Sequence, residues 1–264
     1  MSHTPPIFIN HGKNTVGYFT TSNPQSLIIF VHGFNGSATD TWDEFPALIK
    51  ESNEYANSDV VFYGYESLKG QVNNNALRFY NFLKIIAEGN SNRLGYTRNN
   101  LAPNFNYYRI LIVAHSLGSI VVRRALLNAK AENKTWLLNT KMILFAPAHR
   151  GARIQNLVSE SLPTLGRIFA GLGFITIPVL DDLRPNSQTI LNLIQETEQL
   201  IQQNQGDFTI SHTVIWANNE IVVHNERFCQ DPVAVLLDNK SHTKVCKPIS
   251  PNFLTPFEIV TEAL

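Results

Sequence analysis

The sequence predicts an α/β fold built on a mostly parallel central sheet with helices on both faces. Three observations carry this expectation. Short apolar runs at 26–31, 59–63, 109–114 and 141–146 are too brief for helices and nearly unbroken by polar residues, so they read as strands buried on both sides. Longer amphipathic stretches alternate with them, and that alternation implies parallel pairing through right-handed crossovers, which gathers the carboxyl ends of the strands on one rim. The chain has 264 residues, 44% hydrophobic and 16% charged. That suits one large domain over 1–264 with a sizeable core.

In chain order, 7–10 and 16–20 read as short edge strands joined by a turn at 11–14. The run 26–31 leads into His32-Gly33-Phe34-Asn35-Gly36. Residues 41–50 have helical spacing, with Trp42, Phe45, Leu48 and Ile49 on one side, and 71–88 carries Leu77, Phe79, Tyr80, Leu83, Ile85 and Ile86 as its apolar stripe. The Asn-, Gly- and Pro-rich span 89–106 reads as a surface loop. The strand at 109–114 changes period at Ser116, after which Ile120, Val121, Leu126 and Leu127 face the core while Arg123, Arg124 and Lys130 are expected in water. The strand at 141–146 ends in Pro147-Ala148-His149-Arg150-Gly151.

Residues 161–185 break this rhythm. Leu165, Ile168, Phe169 and Leu172 repeat at helical spacing before an apolar GFITIPVL stretch, and Arg167, the glycines and the prolines argue against a membrane span. A core helix followed by an apolar loop is one reading, and a small apolar cap insert is the other. Then come a helix at 186–203, strands at 208–217 and 233–237, and a loop at 238–243.

Ser116 sits at a sharp strand-to-helix junction, with the small residues Ala114 and Gly118 two positions away on either side. A tight turn there pushes the serine side chain outward, and larger neighbours would collide with adjacent backbone. The helix that follows aims its positive end at the site. Glycines just past the end of the 26–31 strand let backbone amides face an anion.

The segments HGFNG, AHSLG, FAPAHRG and SHTKVCKP resemble those of α/β-hydrolase fold serine esterases and lipases, with alanine at the first glycine position of the elbow. The resemblance spans nearly the whole chain. It implies Ser116 as nucleophile, the Phe34 and Leu117 amides as oxyanion donors, and His242, after the last strand, as general base. Glu220 falls where the family more often has aspartate as the third triad member, with Asp231 and Asp238 as alternatives. It also implies that an insert at 161–185 covers the serine. His149 on the active rim, with Phe169 and Phe174 of the insert, is expected to line the substrate pocket. The implied activity is ester hydrolysis through an acyl-enzyme on Ser116. The alternative is a hydrolase fold serving as a binding or effector module with little turnover.

Lys plus Arg (21) equals Asp plus Glu (21), so no net field favours nucleic acid or an anionic membrane. A small-molecule ester or acyl substrate is the expected partner. The first ten residues show neither a basic region nor a long apolar run, and Cys229 and Cys246 read as free thiols. A cytoplasmic protein is expected. No metal-ligand spacing and no phosphate-binding glycine loop stands out, so neither a metal nor a nucleotide cofactor is expected.

Overall fold

A computed structural model describes residues 2–96, 101, 105–162 and 177–264. Its described residues form one eight-stranded sheet of β1 (Ile7–Phe8), β2 (Val16–Tyr18), β3 (Ser26–Val31), β4 (Ser58–Tyr63), β5 (Arg109–His115), β6 (Thr140–Phe145), β7 (Thr213–Ala217) and β8 (Val235–Leu237), in spatial order β1-β2-β4-β3-β5-β6-β7-β8. The β1–β2 and β2–β4 pairs are antiparallel, and every pair from β4 to β8 is parallel. This is the α/β-hydrolase fold expected. The apolar runs pair because β3 and β5 bury nearly every side chain they carry, each such aliphatic group contributing roughly 1.5–3 kcal/mol.

The helices among the described residues are α1 (Phe45–Glu51), α2 (Val72–Ala87), α3 (Leu117–Ala131), α4 (Ile154–Ser161), α5 (Pro178–Asp182), α6 (Gln188–Gln202) and α7 (Thr255–Glu262). Neighbouring residues on β4 show that they cover both faces, since consecutive strand side chains point oppositely. Phe62 stacks on Phe30, which meets Phe45 of α1, whereas Tyr63 meets Phe79 and Phe82 of α2. The chain ends on the α1 face, where Phe257 of α7 stacks on Tyr55.

Several boundaries differ from expectation for local reasons. The helix expected at 41–50 splits into a 3-10 turn at Asp40–Trp42 and α1, because Asp43 takes a positive φ (52°) and Pro46 belongs in a first helical turn. The strand expected at 208–217 begins only at Thr213, since a 3-10 turn occupies Asp207–Thr209 and the Ser211 N–H donates to Asp231. Arg123 is the clearest correction. It is buried rather than solvated, paired with Asp231, donating to the Thr209 carbonyl and lying over the Phe228 ring. A buried guanidinium needs such partners, and here both terminal nitrogens have one while Nε has none among the described residues.

The candidate cap lies mostly outside the described residues, and Phe169 and Phe174 with it. Its described C-terminal part is α5, which buries Val179 and Leu180. There Asp182 accepts from the Val72 N–H that opens α2 and from the Thr189 hydroxyl in α6. No helix among the described residues is long and apolar enough to cross a membrane.

Candidate active site

The β5–α3 junction is a strained elbow. Ser116 adopts φ 51° and ψ −120°, a backbone state that L-residues avoid and that persists only when its surroundings hold it. Its N–H donates to the Phe145 carbonyl, and its own carbonyl accepts from the Ser119 hydroxyl (2.6 Å) and the Ala148 N–H (3.2 Å). Gly118 is required for steric reasons: a Cβ there would lie 2.4 Å from the Val31 carbonyl oxygen and 2.6 Å from that of His32. The elbow and the glycine loop after β3 therefore fit against each other backbone to backbone.

Ser116, His242 and Glu220 are joined by hydrogen bonds. The Ser116 hydroxyl lies 2.9 Å from His242 Nε2, and His242 Nδ1 lies 3.1 Å from Glu220 Oε2. An ionised carboxylate can only accept, so Nδ1 carries the proton and Nε2 accepts from the serine. Glu220 Oε1 accepts in turn from the amides of Val222 (2.7 Å) and Val223 (3.2 Å). Burial alone would raise the Glu220 carboxyl, but the His242 contact and the two amides outweigh it and hold the group below the usual carboxylate range. The other two carboxylates are engaged elsewhere. Asp231 pairs with Arg123, and Asp238 accepts from the Asn218 side chain at the surface.

A cavity of about 320 Å³ opens at the glycine loop, lined by Gly33 and Phe34 together with His115, Glu160, Thr243 and Lys247, among others; Ser116 itself does not line it. Among the described residues, neither the Phe34 N–H nor the Leu117 N–H donates to a protein acceptor. Both are free to receive an anion at the α3 N-terminus. His32 is a structural group of this loop: Nδ1 donates to the Gly33 carbonyl (2.8 Å) and Nε2 accepts from the Tyr65 N–H (3.2 Å). Burial pushes its imidazole down to about 4, so it stays neutral.

His149 departs from its expected place. It lines not this cavity but a second one of about 420 Å³, with Trp216, Phe228 and Asp231. It is buried with its ring against Phe228 and Trp216, and burial with the nearby Arg123 charge holds it well below its ordinary value. The rim position was legible from the end of β6, but the aromatic wall that swallows the ring comes from β7 and the 225–234 loop. His224, which follows the Glu220 segment in sequence, lies away from the serine, its N–H bonded to the Gly151 carbonyl and the residue lining a separate cavity with Ala152 and Pro185. Sequence reasoning missed two neighbours of the site, Asn35 and Glu160. Asn35 stands inside the HGFNG segment, but nothing in it announces the bond to the distant Ser161 carbonyl, and no motif marks Glu160, which accepts from the Thr243 amide and hydroxyl. Among the described residues no cluster of three or more His, Cys, Asp or Glu is placed to hold a metal.

A mostly parallel sheet with a serine elbow at its carboxyl rim defines an α/β hydrolase of the serine type. Residues 21–205 match the family described as "Putative serine esterase (DUF676)", and the chain belongs to it. That span includes Ser116 and ends before Glu220 and His242. Among solved structures, the mature form of the Bacillus licheniformis lipase BlEst2 is similar over 94% of this chain and 98% of its own, at 15% identity and a TM-score of 0.56. A Paleococcus ferrophilus monoacylglycerol lipase is similar over 98% of both chains, at 10% identity and a TM-score of 0.51. At such identities the likeness is one of fold. No curated protein matches the sequence.

Proposed function

We propose that this serine hydrolase cleaves carboxylic esters through an acyl-enzyme on Ser116. The observation that supports it most directly is the unbroken line from the Ser116 hydroxyl to His242 Nε2 (2.9 Å) and from His242 Nδ1 to Glu220 Oε2 (3.1 Å). In this reading His242 takes the hydroxyl proton as Ser116 attacks the ester carbonyl, and the ionised Glu220 stabilises the imidazolium that forms. The amides of Phe34 and Leu117 receive the tetrahedral oxyanion, which the α3 N-terminus also favours. The protonated His242 then gives its proton to the departing alkoxide. Water attacks the acyl-serine with His242 again as base, releasing the acid and restoring the hydroxyl. The lipases that share the fold make an acyl substrate a natural candidate. The cavity at the glycine loop and His115 offers room for a small-molecule substrate near the elbow.

The test is a fluorophosphonate probe combined with p-nitrophenyl esters of graded chain length. Wild type is expected to label on Ser116 and turn over, while Ser116→Ala folds with a similar melting temperature and does neither. A folded wild-type protein that resists labelling would favour a binding or effector role instead.

A further inference from the structure

His115, next to the nucleophile, has no part in the proton relay, yet it is buried against the base with their ring centroids 4.9 Å apart. Its Nε2 lies 2.9 Å from the backbone carbonyl of His242. A carbonyl only accepts, so the bond requires the Nε2–H tautomer. Burial, and then the charge of His242, push the His115 imidazole down to about 3, which keeps it neutral with one donor proton to give. Room for this ring depends on Gly33, where a Cβ would sit 2.9 Å from His115 Nδ1.

The N–H of the same peptide unit is held from the opposite direction. The Thr243 amide and the Thr243 hydroxyl both donate to Glu160 Oε1, each at 3.1 Å. Glu160 lies in the last turn of α4, and the carbonyl of the next residue, Ser161, accepts from the Asn35 side chain (2.7 Å) in the glycine loop. One peptide plane is thus gripped at its carbonyl from β5 and at its amide from α4.

We infer that His115 and Glu160 are positioning residues that clamp the peptide between His242 and Thr243, and through it aim the His242 imidazole at Ser116. The inference rests on the esterase reading for its kinetic effect. A peptide held at both ends cannot rotate about its flanking bonds, so the imidazole keeps one approach to the hydroxyl. Released, the 241–243 loop can carry the ring out of line, and small misplacements of a reacting group cost rate rather than binding.

The experiment compares His115→Leu, which removes the donor, with His115→Gln, whose amide nitrogen reaches about as far as Nε2. On p-nitrophenyl acetate, His115→Leu is expected to lower kcat by roughly ten- to a hundredfold with KM within about twofold. His115→Gln is expected to recover most of that loss. In proton NMR the low-field Nδ1 proton of His242 should broaden or vanish in the Leu variant and persist in the Gln variant. Should His115→Leu fail to fold, Glu160→Ala against Glu160→Gln, at a partly exposed position, carries the same comparison. Equal kcat in the Leu and Gln variants with an unchanged His242 resonance would overturn the clamp, as would an effect confined to KM. A wild-type protein that neither labels nor hydrolyses would refute the esterase reading alone, since the resonance still reports the clamp.

Discussion

Replacing Glu220 by Gln perturbs the site in a way the structure makes calculable. The carboxylate is anchored by two amide donors, Val222 and Val223, both on Oε1. In the variant the side-chain oxygen must stay on those amides, because turning the amide group over would aim its NH2 at two N–H donors. The NH2 then faces His242 Nδ1, where Oε2 now sits at 3.1 Å. Nδ1 is forced to accept, the proton moves to Nε2, and Nε2 meets the Ser116 hydroxyl as a donor instead of a base. The wrong tautomer and the lost counter-charge act together, and changes of this type in a serine triad cost about ten-thousandfold in turnover, or about 5 kcal/mol of transition-state stabilisation. The assay is kcat/KM on one p-nitrophenyl ester, with Ser116→Ala as the floor and a melting curve for each variant. Asp238→Asn should match wild type in both. Asp231→Asn should lower stability by roughly 3–5 kcal/mol, since it leaves the buried Arg123 charge uncompensated. Glu220→Gln within tenfold of wild type, with Asp231→Asn or Asp238→Asn inactive though folded, would refute the assignment of the acid.

Two further outcomes follow from packing and protonation. Gly118→Ala places a Cβ 2.4 Å from one backbone oxygen and 2.6 Å from another, so it should cost about 1–3 kcal/mol in denaturation and displace the 32–36 loop, proposed to receive the oxyanion, enough to depress turnover; a variant that keeps both would contradict the close approach. Acid should destabilise the fold, because burial lowers the imidazoles of His32 (to about 4), His115 (to about 3) and His149. Below the unfolded value of about 6.5 the unfolded chain binds more protons than the folded one, so stability is full above that pH and is lost as pH falls toward the folded values. Three such groups set a limiting slope of about 4 kcal/mol per pH unit. Denaturation midpoints at pH 7.5, 6.5 and 5.5 check it, and a constant midpoint would show that these rings are protonated in the fold.

The elbow was legible because its information is local. A buried strand, a serine, a glycine two residues on and an amphipathic helix stand within two dozen residues, and the structure reproduces that order in β5, Ser116 and α3. The Glu220 and His242 expectations rest on resemblance to a family pattern, and the structure brings the His242 ring to the Ser116 hydroxyl and the Glu220 carboxylate to the far side of that ring. Arg123 was misjudged for the opposite reason. Its spacing on α3 allowed a solvated face, but the partner that buries it, Asp231, lies 108 positions away, and nothing local announces it. The end of α4 went unread for a related reason, since its role is spent on Thr243, 83 positions along the chain.

The chemistry and its scaffolding therefore leave different marks. A nucleophile, a base and an oxyanion turn each admit very few residue types, because reactivity or a forbidden backbone angle selects them, so the sequence displays them as a pattern. The clamp on the 242–243 peptide needs only a neutral donor on one side and an acceptor on the other. His115 and Glu160 meet that need, but so could several other side chains, and no pattern is imposed. Their importance is set by geometry: one backbone unit, gripped at its carbonyl from the nucleophile strand and at its amide from α4. A change at either end should thus be felt at Ser116 without touching it, and the same bond through Ser161 to Asn35 ties that grip to the loop that would receive the oxyanion.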